Sequence, residues 1–192
     1  MTEPGDMVAV RTGSPALGWR PVSQRWLPGM NLVAPLSSVN SSRGHMVLTT
    51  TGGQGCICAK RFLVAEPLLE AFTKAFVEQS RALPMGDPMQ EGVKLGPLAR
   101  GDLRRNVHRQ VQDAVKAGAR VLTGGEIPDG PGNFYPPTVL VDLPPEAAIA
   151  KEEFFGPVAV IYGFKTDEEA VELANGTDFG LKALSILAWR DS

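Results

Sequence analysis

The sequence predicts an α/β fold built on a largely parallel sheet flanked by helices, and three observations carry that prediction. From Met46 onward, short strand-like runs alternate with longer segments of helical periodicity, the order that a parallel sheet with crossover helices requires. The run Val158 to Phe164, VAVIYGF, is apolar on both faces of a strand, as expected where helices cover a sheet on both sides. In DLRRNVHRQVQDAVKAGA, the residues Leu103, Val107, Val111 and Val115 fall four apart, which draws one apolar stripe along a surface helix.

Composition sets the outer limits. The 192 residues are 43% hydrophobic and 21% charged, ordinary for a globular protein, and the length suits one domain, alone or with a tail. A net charge of −2 gives no electrostatic reason to expect nucleic acid or an anionic membrane as partner. No apolar run approaches the roughly 20 residues that span a bilayer, and no charged-then-apolar signal opens the chain. The expectation is a soluble, cytoplasmic protein.

The first 45 residues stand apart. They hold Arg11, Arg20, Arg25 and Arg43, no lysine, and only Glu3 and Asp6 as acids, so this segment is +2 and the remainder −4. Pro4, Pro15, Pro21, Pro28 and Pro35 recur too often for a helix, and no strand alternation replaces it; residues 1–45 read as irregular or disordered, ahead of a domain over 46–192.

Within that domain the elements follow in order. Lys60 to Ala65, KRFLVA, is a short strand, and PLLEAFTKAFVEQSRAL after it is a helix with Pro67 in the permitted first turn. MGDP, Met85 to Pro88, stops that helix. The striped helix follows and closes at Gly118, with His108 beside the stripe as a surface or boundary residue. RVLTGG (120–125) and TVLVDL (138–143) read as strands ahead of VAVIYGF. Thr166 and Glu169 form a capping box for TDEEAVELANG, whose helix ends at Gly176, and LKALSILAW (181–189) is a further strand.

The chemistry gathers at GGQGCICAKRFLV, Gly52 to Val64, which holds both cysteines, Cys56 and Cys58. A pair so closely spaced staples no distant parts together, and a reducing compartment follows. Structural zinc needs about four Cys or His ligands in paired spacings; His45 and His108 supply no such pattern, so no metal is expected. Gly52, Gly53 and Gly55 permit positive φ and close backbone approach around Cys56, a setting that holds a thiol at a turn with free N–H groups. Lys60 and Arg61 stand near enough to favour a thiolate, unless the strand turns their side chains elsewhere. On these grounds alone two small packing cysteines are a better reading than a nucleophile.

GQGCICAKRFLV resembles the active-site stretch of the aldehyde dehydrogenase superfamily, with Cys56 on the catalytic thiol. KEEFFGPV, Lys151 to Val158, is similar to that family's Glu-x-Phe-Gly-Pro motif. The resemblance implies that Glu153 binds the nicotinamide ribose of NAD or NADP and that Phe155 packs beside the nicotinamide; taken singly, the two would read as a surface carboxylate and a core aromatic. MGDP, LGPLAR, GARVLTGG and YPPTVL match as well, and CICAKRFLV looks most like the succinate-semialdehyde dehydrogenase branch. A small aldehyde is then the substrate, oxidised through a thiohemiacetal and a thioester on Cys56.

Departures accompany the match. The family's general base, a Glu, lands near Val22, where nothing is acidic; Thr51 stands where Asn is common, and Gly55 where a larger residue is usual. The family's cofactor domain and oxyanion Asn precede the thiol, and its closing strand and oligomerisation segment follow the position of Ser192, so the resemblance implies a catalytic domain truncated at both ends. Two functions stay open: an NAD(P)-dependent aldehyde dehydrogenase by descent, or a non-catalytic remnant that survives as a folded domain or pairs with a full-length paralogue; a homo-oligomer is the other partner the resemblance implies.

Overall fold

A computed structural model describes residues 50–55 and 58–178. The predicted irregular segment 1–45, the strand at 181–189 and Cys56 lie outside the described residues. Four strands and three helices follow in the order β1 (Arg61–Ala65), α1 (Glu66–Arg81), α2 (Gly101–Lys116), β2 (Arg120–Thr123), β3 (Thr138–Val141), β4 (Val158–Phe164) and α3 (Asp167–Asn175), with short 3-10 turns at Thr50–Gly53 and Ala148–Lys151.

The sheet order is β1-β4-β3-β2. β4 pairs in parallel with β1, Arg61 opposite Val160, and with β3, Thr138 opposite Val158. β2 joins antiparallel to β3, so the sheet is largely parallel with one antiparallel strand. β4 sits between two neighbours and is buried over its first five residues, which explains why its sequence is apolar on both faces.

Period-two alternation sends successive side chains of each strand into two separate cores. Val158, Val160 and Tyr162 of β4 join Leu140 and the α2 residues Val107, Val111 and Ala114 on one face. Ala159 and Ile161 join Phe62, Val64, Val139 and Val141 on the other, covered by Phe76 and Val77 of α1. Phe62 and Phe76 pack ring to ring there, centroids 4.8 Å apart.

Several element ends differ from expectation, each for a local reason. α1 stops at Arg81, capped by Ala82, before it reaches MGDP; Met85 instead bridges to Leu95. On α2 the buried positions are Val107, Gln110, Val111 and Ala114, while Val115 is 40% exposed. A spacing of four overshoots the 3.6-residue turn, so the stripe walks off the buried face by its fourth member. β2 ends at Thr123, because Gly124 and Gly125 both take positive φ and turn the chain away. β3 ends at Val141, where Asp142 adopts φ 60°. At α3, the Thr166 hydroxyl accepts from the Glu169 N–H at 3.3 Å, but the Glu169 carboxylate reaches back to the N–H of Lys165 at 2.7 Å, one residue earlier than a standard capping box.

Candidate active site

Two loops at the entry ends of the parallel strands β1 and β4 meet face to face. The first is the glycine-rich turn before Cys56; the second is the Glu153–Pro157 loop that feeds β4. Gly53 has φ 72° and leaves no room for a side chain: a Cβ there would fall 2.1 Å from the Gly156 carbonyl oxygen. Gly156 is equally confined from behind, where a Cβ would lie 2.8 Å from Val107 of α2. Only glycine at both positions lets the two backbones touch.

Side chains fix each loop to the scaffold. The Gln54 amide oxygen accepts from the N–H of Ala99 at 3.0 Å. Gln110, buried on α2, donates to the Glu153 carbonyl and to the Glu152 carboxylate, each at 3.0 Å. Phe154 is buried in the core with Val107, and the next residue, Phe155, is consequently only half-buried and faces Lys60. The Glu153 carboxylate takes no hydrogen bond from any described residue.

Lys60 and Arg61 part company at the start of β1. The Lys60 ammonium donates to the Gly53 carbonyl, lies 3.4 Å from the Gly156 carbonyl and stands 5.7 Å from the centroid of the Phe155 ring. Burial pushes it below the usual lysine range, and its electrostatic interactions with Cys58 and Glu153 pull it partway back. Arg61 points to the other side, donating to the Leu173 carbonyl at 2.6 Å and lying over the Tyr162 ring. Strand alternation separates the two cations, so one serves the site and the other ties α3 to the sheet.

Of the residues singled out from sequence, Glu153 and Phe155 therefore share one loop, with Phe155 in contact range of Lys60. Cys58 is buried at 9% exposure, and its N–H donates to the Gly55 carbonyl at 3.0 Å. His108 is a boundary residue, its Nδ1 3.4 Å from the Tyr135 hydroxyl. Gln110 escaped sequence reasoning, which also left open which of Lys60 and Arg61 turns toward the site. The signal for Lys60 was its position immediately before a strand, opposite in phase to Arg61.

A two-core α/β sheet with a cysteine-bearing glycine turn locked against a Phe-Gly-Pro loop defines the class. Residues 41–186 match the aldehyde dehydrogenase family, and the chain belongs to that family. It is 52% identical over 131 residues to the NAD(P)+ succinate semialdehyde dehydrogenase Sad of Escherichia coli strain K12, a match covering 68% of this chain and 28% of that protein. The fold superposes on an NAD-dependent aldehyde dehydrogenase from Sinorhizobium meliloti with a TM-score of 0.71 at 36% identity, over 76% of this chain and 29% of that one. Aldehyde dehydrogenase 21 from Physcomitrella patens, solved with the reaction product succinate, superposes with a TM-score of 0.67 at 36% identity, over 72% of this chain and 28% of that one. The chain thus spans under a third of the length of each of these relatives.

Proposed function

We propose that this chain carries the thiol and the nicotinamide-facing part of an enzyme that oxidises an aldehyde of the succinate semialdehyde class to its carboxylic acid with NAD or NADP. The observation that carries this reading is the backbone contact of Gly53 with Gly156, which joins the turn leading into Cys56 to the loop of Glu153 and Phe155. The names of the Escherichia coli and Physcomitrella patens relatives support the substrate class.

The residues present fit a dinucleotide. The Glu153 carboxylate accepts from no donor among the described residues and suits two ribose hydroxyls. Phe155 offers a half-buried ring for packing beside the nicotinamide. When bound, the nicotinamide supplies the hydride acceptor.

In the reaction, the Cys56 thiolate adds to the aldehyde carbon, and the carbonyl π pair moves to oxygen as a thiohemiacetal anion. The N–H of Cys56 is the backbone donor toward that oxygen. As the C=O bond re-forms, hydride leaves the same carbon and a thioester remains on Cys56. Water then adds, the thiolate departs, and the acid is released.

Iodoacetamide labelling at neutral pH, read by peptide mass spectrometry, tests the assignment. We expect Cys56 to alkylate faster than the buried Cys58. Equal rates at the two cysteines would refute the role given to Cys56.

A further inference from the structure

We propose that Lys60 is a positioning residue whose ammonium ties the turn before Cys56 to the loop of Glu153 and Phe155. One end of the tie is fixed, because the Lys60 carbonyl accepts from the N–H of Val160 at 2.8 Å and so roots the residue in the sheet. The other end is shared: the ammonium donates to the Gly53 carbonyl and lies within 3.4 Å of the Gly156 carbonyl. Those carbonyls belong to segments separated by most of the described chain, and among the described residues Lys60 is the side chain that reaches both.

The choice of residue follows from the chemistry at that spot. Two backbone carbonyls facing one point need a donor that can serve both, and an ammonium carries three protons and no acceptor. Charge makes each of these bonds stronger than a neutral one. The same cation stands over one side of the Phe155 ring at 5.7 Å, within the range where it is attracted to the ring face. It thereby sets the orientation of the ring as well as the separation of the loops. Arg61 cannot substitute, since it is engaged with Leu173 and Tyr162 across the sheet. That the tied loops face substrate and cofactor rests on the function proposed above; the tie itself does not.

Hydrogen exchange of the full chain, read by mass spectrometry, tests the proposal. Lys60→Met keeps the apolar stem and removes the donors; Lys60→Arg restores donors and charge. Removal of a charge-assisted hydrogen bond lowers local protection by about tenfold or more. We therefore expect the amides of residues 52–55 and of 154–156 to exchange about tenfold faster in Lys60→Met, with α2 and β4 unchanged, and Lys60→Arg to recover much of the protection in both loops. Wild-type exchange in Lys60→Met would overturn the proposal, since stem packing would then account for the residue. A change confined to residues 52–55 would overturn it too. So would exchange raised equally throughout the chain in both Lys60→Met and Lys60→Gln, which would make Lys60 a support of the whole fold. None of these outcomes depends on the role of Cys56, which the labelling experiment decides separately.

Discussion

Gly53 concentrates two demands that are usually separate: a left-handed backbone and the absence of a side chain. Gly92 has only the first, with φ 86° and nothing within 4 Å of where a Cβ would stand. The pair therefore isolates the cost of the loop-to-loop contact. Gly92→Ala is expected to lose about 1 kcal/mol, the left-handed penalty alone. Gly53→Ala carries that penalty plus a clash with the Gly156 carbonyl 2.1 Å away, against backbone that cannot swing aside, and is expected to lose about 3 kcal/mol or more. Urea denaturation midpoints measure both. Equal losses would mean that the two loops separate at little expense. The sequence made the glycines legible as a turn, since Gly52 and Gly53 both take the positive φ that glycine allows. It did not reveal what the turn leans on, since that surface is supplied by Gly156, far along the chain.

At the scale of elements, α2 decides how firmly the second loop is backed. Val107 is fully buried and lies directly behind Gly156, whereas Val115 belongs to the same sequence stripe yet emerges into solvent. Val107→Ala removes two buried methyl-sized groups and leaves a cavity, so a loss of about 2 to 3 kcal/mol is expected. Val115→Ala should fall within about 0.5 kcal/mol of wild type. Thermal or chemical denaturation of the two variants distinguishes the buried face from the stripe that the sequence draws. All seven described helices and strands were legible in kind, because their periodicities are clean. Their ends were less so: neither the positive φ at Gly124, Gly125 and Asp142 nor the backbone cap at Ala82 leaves a periodic signal. Of the candidate site, Glu153 and Phe155 were singled out through their motif and share one loop, while Gln110 was missed because a buried glutamine on a helix gives no periodic signal.

For the molecule as a whole, the proposed chemistry asks for more than the two tied loops. Thioester hydrolysis needs a base to activate water, and the acids this sequence holds ahead of Cys56 are Glu3 and Asp6. Hydride transfer further needs the cofactor held at near-attack distance. The purified chain is accordingly expected to form no NADH or NADPH with succinate semialdehyde or acetaldehyde, as followed by absorbance. Sustained turnover that disappears in Cys56→Ser would show that residues 1–49 or an associated chain provide the base. The sheet order also bears on how the protein is made. Among the described residues β1 pairs only with β4, and β4 is synthesised about a hundred residues later. At ribosomal rates of about 5 to 20 residues per second, β1 emerges roughly 5 to 20 s before its partner exists. Until Val139 and Val141 of β3 appear, Phe62 and Val64 have, among the described residues, only the newly made α1 to shelter them, so β1 is the described strand that most needs a chaperone's cover.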